Sequence, residues 1–273
     1  MSDAFEHNDS KNLHDALEKL SEHLIETERL KPISFSEFLE LSVSNPYGIF
    51  RDIFQVFHDM VHFYVKERKE RKKNLFTESY FKNYDFFTLL QEGCDNPFFA
   101  DRLFANRFIN LVNGFKDGTR TNQIVLFEGP PGSGKSTFLN NLLQKLEEYT
   151  KTSNGSMYST YWKLDIEKLG GVTEVKNIIK TTTGEEKDSI KLSKEKYLEF
   201  LCPSHDHPIL LIPKEYRKTF LNNLIKDNKF KNHLFHEKQF EWIFNEEPCS
   251  ICKSLYTSLL DKLENAAAVY SMV

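Results

Sequence analysis

The stretch FEGPPGSGKSTF, residues 127–138, constrains this chain more than any other. Gly129, four intervening residues, then Gly134, Lys135 and Ser136 match G-x-x-x-x-G-K-[ST], the signature of a phosphate-cradling loop. Glycines there let consecutive backbone N–H groups turn into one concavity, and the helix that follows adds the positive end of its dipole. The flanks fit that mechanism. Ahead of the loop, Ile124–Phe127 is an unbroken apolar run, the pattern of a parallel strand buried on both faces. Behind it, Phe138, Leu139, Leu142, Leu143, Leu146 and Tyr149 recur at helical spacing. Composition alone produces the motif in about one chain in a hundred of this length, and the strand and helix flanks make a chance glycine-rich turn a weak competitor.

The expected nucleotide-binding set is Gly129, Pro130, Pro131, Gly132, Ser133, Gly134, Lys135, Ser136 and Thr137. Lys135 would neutralise the β- and γ-phosphates, and the Ser136 hydroxyl would take one Mg2+ coordination site. ATP is expected rather than GTP, because no N-K-x-D-like guanine reader follows the loop. Hydrolysis normally needs a second apolar strand ending in an aspartate that holds the Mg2+. No such run follows Ser136: Asp165 in YWKLDIE comes after a lysine-interrupted strand, and EWIFNEE (241–247) carries Asn where the acid belongs. Arg217 is the sole arginine beyond the loop, so an arginine-rich lid of the phosphotransferase kind is absent.

Along the chain, Leu13, Leu17, Leu20 and Leu24 predict a helix within residues 12–30. Ser34 and Glu37 form a capping-box pair, and Pro46 opens a helix whose stripe runs Ile49, Ile53, Phe57, Met60, Tyr64. KERKERKKN (66–74) reads as a solvated helix end, and 168–190 as a polar surface insertion. YSTYWKLDI (158–166) is the expected second strand, and Pro213 starts a helix with Tyr216, Phe220, Leu221 and Leu224 inward. The closing AAAVYSMV resembles an unfinished strand, which suggests the leading part of a longer protein.

Cysteine and histidine spacing gives a second constellation. Cys202 and His205 in CPSHDH, with Cys249 and Cys252 in CSIC, make a Cys3His tetrahedral zinc set of the structural kind. His205 is preferred over His207 on spacing alone, and the second pair opens a helix whose N-terminus would favour thiolates. The competing reading makes Cys202 a small buried hydrophobe and Cys249/Cys252 a coincidental pair. Cys94 stands alone and is expected to be buried. HDMVH (58–62) imitates a zinc-protease signature, but Asp59 shortens the base and no third ligand is evident, so satisfied helical histidines are expected.

Composition narrows the class. A formal charge of −4 gives no general attraction to nucleic acid or anionic lipid, and no apolar run reaches membrane-spanning length. The polar start MSDAFEHNDS is no secretory signal, and four cysteines are too few for a disulfide framework, so a cytoplasmic protein is expected.

ISFSEFLEL (33–41), FADRLFANRFINLVNGF (99–115), FEGPPGSGKSTFLNNLL (127–143), HDHPILLIP (205–213) and CSICKSLY (249–256), in this order, resemble the N-terminal AAA+-type ATPase region of PrkA-type serine protein kinases. The resemblance covers residue 33 onward. It implies an α/β P-loop NTPase of AAA+ type with a parallel-sheet core, behind an N-terminal helical region over 1–85. The P-loop domain would occupy 86–273, incomplete at its C-terminus, with a zinc-stabilised insertion at about 168–255. The resemblance further implies ATP binding coupled to a kinase region beyond Val273, a protein substrate or regulator met through the full-length protein, and a ring of copies. Only positions 129–137 carry over residue by residue. No H-R-D or D-F-G kinase motif is present, so kinase chemistry has no residues in this chain. Two other functions compete: a nucleotide-gated interaction module without hydrolysis, and a small-molecule P-loop phosphotransferase.

Overall fold

The computed structural model of this chain describes residues 32–68, 82–116, 124–183 and 196–273. It divides into two compact units, Met1–Ser34 and Phe35–Val273. The helix expected within 12–30 lies outside the described residues, as do 69–74 of the basic run and 184–190 of the polar stretch.

The second unit opens with α1 (Phe35–Ser44), anchored by buried Phe35 and Phe38. A continuous helix from Pro46 to Tyr64 is predicted, yet the chain breaks it into α2 (Pro46–Ile49) and α3 (Ile53–Tyr64). Competing caps cause the break. The Asn45 side chain accepts the Gly48 N–H, while Asp52 and Gln55 form a reciprocal capping box, both bonds 2.8 Å. The basic run then starts as strand β1 (Lys66–Arg68), not a helix end. It pairs antiparallel with β2 (Asn83–Asp85), and it remains solvated.

After α4 (Phe87–Leu90) come α5 (Arg102–Lys116) and α6 (Lys135–Thr150), the helix behind the glycine-rich loop. Val56, Met60 and Val61 of α3 share one core with Leu89 and Leu90, Phe108 and Ile109, and Phe138, Leu142 and Tyr149. Each large apolar side chain so buried contributes about 1.5–3 kcal/mol.

Next follow β3 (Tyr161–Asp165), α7 (Val172–Thr183) and β4 (Tyr197–Leu201), with β3 and β4 antiparallel in the register Tyr161↔Leu201 to Asp165↔Tyr197. This corrects the expected parallel sheet. The described residues hold two antiparallel two-stranded sheets, and 124–127 joins neither. An all-apolar strand is buried only between flanking strands. Among the described residues 161–165 is instead paired along one edge by 197–201, and Ile124 is left 91% exposed and Leu126 76%. The architecture is mixed α/β, predominantly helical. Nor is 168–183 a surface insertion, because Val175 and Ile178 of α7 are buried in a second core.

A short 3-10 turn (Pro208–Leu211) leads to α8 (Lys214–Leu224), α9 (Asn228–His236), α10 (Glu241–Asn245), α11 (Ser250–Leu263) and α12 (Ala266–Tyr270). Trp162, Leu164, Leu255, Leu259 and Val269 fill the second core with α7. The closing apolar run is therefore helix rather than an unfinished strand: three alanines favour helix, Asn265 caps it, and Val269 and Met272 are buried. Its last carbonyls tie down other elements, Met272 O accepting from Lys163 N at 2.7 Å and Val273 O from Phe35 N at 3.2 Å. In α8 the inward stripe also differs from expectation. Tyr216 is exposed, and the buried place beside Leu221 belongs to Arg217.

Candidate functional site: the glycine-rich loop and the cysteine cluster

Two backbone conformations open to glycine shape the loop. Gly132 and Gly134 both have φ of +79°, and Gly134 is the N-cap of α6. A Cβ on Gly134 would lie 3.0 Å from the Phe98 ring, and one on Gly129 would lie 2.9 Å from Ser133 Oγ. The loop closes through Ser133 N to Pro130 O at 3.2 Å. Over it folds Lys135, whose Nζ donates to Gly129 O at 2.8 Å, Pro130 O at 2.9 Å and Ser133 Oγ at 3.2 Å. Three acceptors match the three donors of one ammonium. Ser136 and Thr137 sit in the first turn of α6, Ser136 exposed, where backbone N–H groups have no helical partner. Phe127 packs its ring 5.4 Å from Phe138 and so joins the loop to the first core.

The helical stripe expected behind the loop is half realised. Phe138, Leu142 and Tyr149 are buried, whereas Leu139 and Leu143 are exposed at 41% and 64%. Neither stand-in for the magnesium-holding acid is presented to a ligand. Asp165 is buried, and its Oδ1 accepts the N–H groups of Glu167 and Lys168 at 3.1 and 3.2 Å, closing the turn after β3. EWIFN is the helix α10. Arg217, fully buried, spreads its guanidinium over four carbonyls: Ile212 O at 2.6 Å, Ile243 O and Glu246 O at 2.7 Å, and Leu210 O at 2.9 Å. It is a structural hub, not a lid arginine.

Cys202, Cys249 and Cys252 do converge. Their sulfurs and a carboxylate oxygen of Asp206 all lie within 4.8 Å of one another. His205 is not in that group, which corrects the expected fourth member. Cys202–His205 is a tight turn, closed by His205 N to Cys202 O at 3.0 Å, and His205 has a left-handed φ of 52°. That twist leaves the His205 side chain exposed and brings the next residue round: Asp206 N donates to Cys202 Sγ at 3.5 Å, and Asp206 Oδ2 accepts from Cys249 N at 2.8 Å. His207 is engaged elsewhere. Its Nδ1 accepts from Ile209 N at 3.3 Å, so Nε2 carries the proton and donates to Ile49 O at 3.1 Å. Burial pushes its pKa down to about 4, keeping the ring neutral.

Cys249 is the N-cap of α11, its Sγ accepting from Cys252 N at 3.4 Å, and the buried Trp162 indole donates to Cys252 Sγ at 3.3 Å. All three cysteines are free thiols, and burial pushes Cys202 and Cys252 up from the ordinary thiol range. Cys94, half-buried, stands apart from them.

The HDMVH histidines are satisfied helical residues. His62 Nε2 meets Asn113 Oδ1 at 2.8 Å and His58 Nδ1 meets Asp59 Oδ1 at 3.1 Å, with the two rings 4.4 Å apart. They line an open cavity of about 450 Å³ with Asn113 and Lys116. The spacing did not signal this cavity, because Asn113 and Lys116 come from α5 rather than α3.

Compared with known proteins, the chain matches no family model, no curated protein and no solved structure. No helix among the described residues is long and apolar enough to cross a membrane.

Proposed function

We propose that this chain binds ATP with Mg2+ through the loop 129–137, as the nucleotide-responsive module of a PrkA-type serine protein kinase. The observation that carries the reading is Lys135 folded over the loop carbonyls at the start of a sixteen-residue helix, directly after two glycines, Gly132 and Gly134, whose positive φ no ordinary residue adopts cheaply. In the proposed complex the ammonium leaves Gly129 O and Pro130 O for the terminal phosphates. The amides of the loop and first helical turn hold the remaining oxygens, and Ser136 reaches the Mg2+.

Turnover is expected to be weak or absent, because Asp165 is committed to its turn and 241–245 is helical. A nucleotide-gated interaction module is the second reading. It is favoured by the exposed Leu126, Leu139 and Leu143 on the segments flanking the loop. A phosphotransferase is disfavoured, since the one arginine past the loop is fully buried on carbonyls.

Competition against a fluorescent nucleotide tests the proposal. ATP should displace the probe far better than AMP, only with Mg2+ present, and Lys135→Ala should weaken the interaction by about 10–100-fold, the loss of one charge-assisted contact set. Equal competition by ATP and AMP contradicts a phosphate-directed site. Steady ATP turnover that Lys135→Ala abolishes would overturn the expected lack of hydrolysis.

A further inference from the structure

We propose that Cys202, Asp206, Cys249 and Cys252 form a closed tetrahedral zinc site that clamps the antiparallel β3–β4 pair to α11, with Asp206 rather than a histidine as the fourth ligand. The proposal is independent of the nucleotide reading.

Distance supports it first. Zn–S bonds of about 2.3 Å in a tetrahedron place two sulfurs about 3.8 Å apart, and Cys202 Sγ lies 3.7 Å from Cys249 Sγ. All four ligand atoms fall within 4.8 Å of one another, a span that one ion can bridge with small side-chain rotations.

The surroundings of the sulfurs support it second. Each has an N–H donor pointed at it: Asp206 N on Cys202, Cys252 N on Cys249, and the Trp162 indole on Cys252. A neutral thiol is a weak acceptor, whereas a metal-bound thiolate is negative and well matched to such donors. The start of the fourteen-residue α11 adds its positive end at Cys249. Three thiolates and one carboxylate around a divalent ion leave a charge of −2, which these donors and the helix end offset.

The scaffold is fixed on both sides. Cys202 follows β4 directly, and Thr160, just ahead of β3, clamps its loop. Cys202 N donates to Thr160 O at 2.9 Å, and Thr160 N and Oγ1 donate to Asp206 O at 2.8 and 2.9 Å. Asp206 Oδ2 in turn accepts the Cys249 N–H. A carboxylate can hold a backbone N–H with one oxygen and a metal with the other, so this bond orients the ligand. With four protein ligands no position is left for water, which makes the site structural rather than catalytic. Binding releases the three thiol protons to solvent as Zn2+ takes their place.

The test uses the whole chain, expressed with zinc and freed of loose metal. Elemental analysis should find one zinc per chain, and replacement by Co2+ should give thiolate-to-cobalt charge transfer with the intense visible bands of a tetrahedral site. Asp206→Asn keeps an oxygen for the Cys249 N–H but removes the charge. It should weaken zinc at least about tenfold in competition with a chromophoric chelator, while His205→Ala leaves affinity unchanged. Should Asp206→Asn fail to fold, thiol alkylation of the native chain decides: zinc should protect three cysteines and leave Cys94 reactive. Absence of bound metal, iron in place of zinc, a disulfide among the three, or a loss of affinity in His205→Ala as large as in Asp206→Asn each overturns the assignment.

Discussion

Arg217 shows how much a single residue can decide in this chain. A guanidinium with no exposed surface, whose hydrogen bonds all run to backbone carbonyls, holds together the 3-10 turn at 208–211, the end of α10 and the segment after it. Truncation would leave the carbonyls of Leu210, Ile212 and Ile243 buried and short of a donor, and that of Glu246 partly so, and each buried group costs about 1–3 kcal/mol. Arg217→Met should therefore lower unfolding free energy by about 3 kcal/mol or more in urea titration, with nucleotide affinity per folded molecule unchanged. Arg217→Lys should recover only part of it, because a single ammonium has three donors and no planar fork. A loss below about 1 kcal/mol for Arg217→Met would show that the carbonyls find other partners. The sequence marks this arginine only as solitary; its burial comes from elements brought together over a span of 26 and 29 residues, which no local pattern encodes.

Among the elements, the junction of loop and α6 is the most tightly specified. Gly134 and Gly132 share the same φ, but a Cβ meets the Phe98 ring at 3.0 Å in one case and open space in the other. Gly132→Ala should cost about 1–2 kcal/mol from backbone strain alone. Gly134→Ala should cost about 1–3 kcal/mol more, from crowding against Phe98, and calorimetric unfolding of the two variants measures the difference. Equal costs would mean that Phe98 moves aside freely. The helix boundaries here were legible in the sequence: the motif and the apolar spacing give α6, the Cys249 position gives the start of α11, and Ser34 marks the start of α1. Breaks and pairings were not. Asn45 and Asp52 are both good caps, and only packing decides that both are used. Ile124–Phe127 reads as a buried strand, yet a strand needs neighbours, and among the described residues 161–165 is paired instead with 197–201. Three of the four cluster members, Cys202, Cys249 and Cys252, lie where the spacing put them. The fourth differs because a left-handed φ at His205 turns the chain by one residue, a feature with no sequence signal in a non-glycine.

At the scale of the molecule, two cores carry the two candidate sites. The first buries one stripe of α6 against α3, α4 and α5 and holds the glycine-rich loop at its edge. The second packs β3, α7, α11 and α12 around Trp162 and carries the cysteine cluster. Within this arrangement the proposed nucleotide site depends on loop conformation and one lysine, and the exposed leucines flanking it give a partner-gating role a physical surface.

Isothermal titration of Mg·ATP into the whole chain reads the proposed binding at loop 129–137 directly. Saturable heat at one nucleotide per chain is expected, lost or weakened by about 10–100-fold in Lys135→Ala, with both proteins equally folded by circular dichroism. Heat no greater than that of the variant, from a folded wild-type protein, would contradict it.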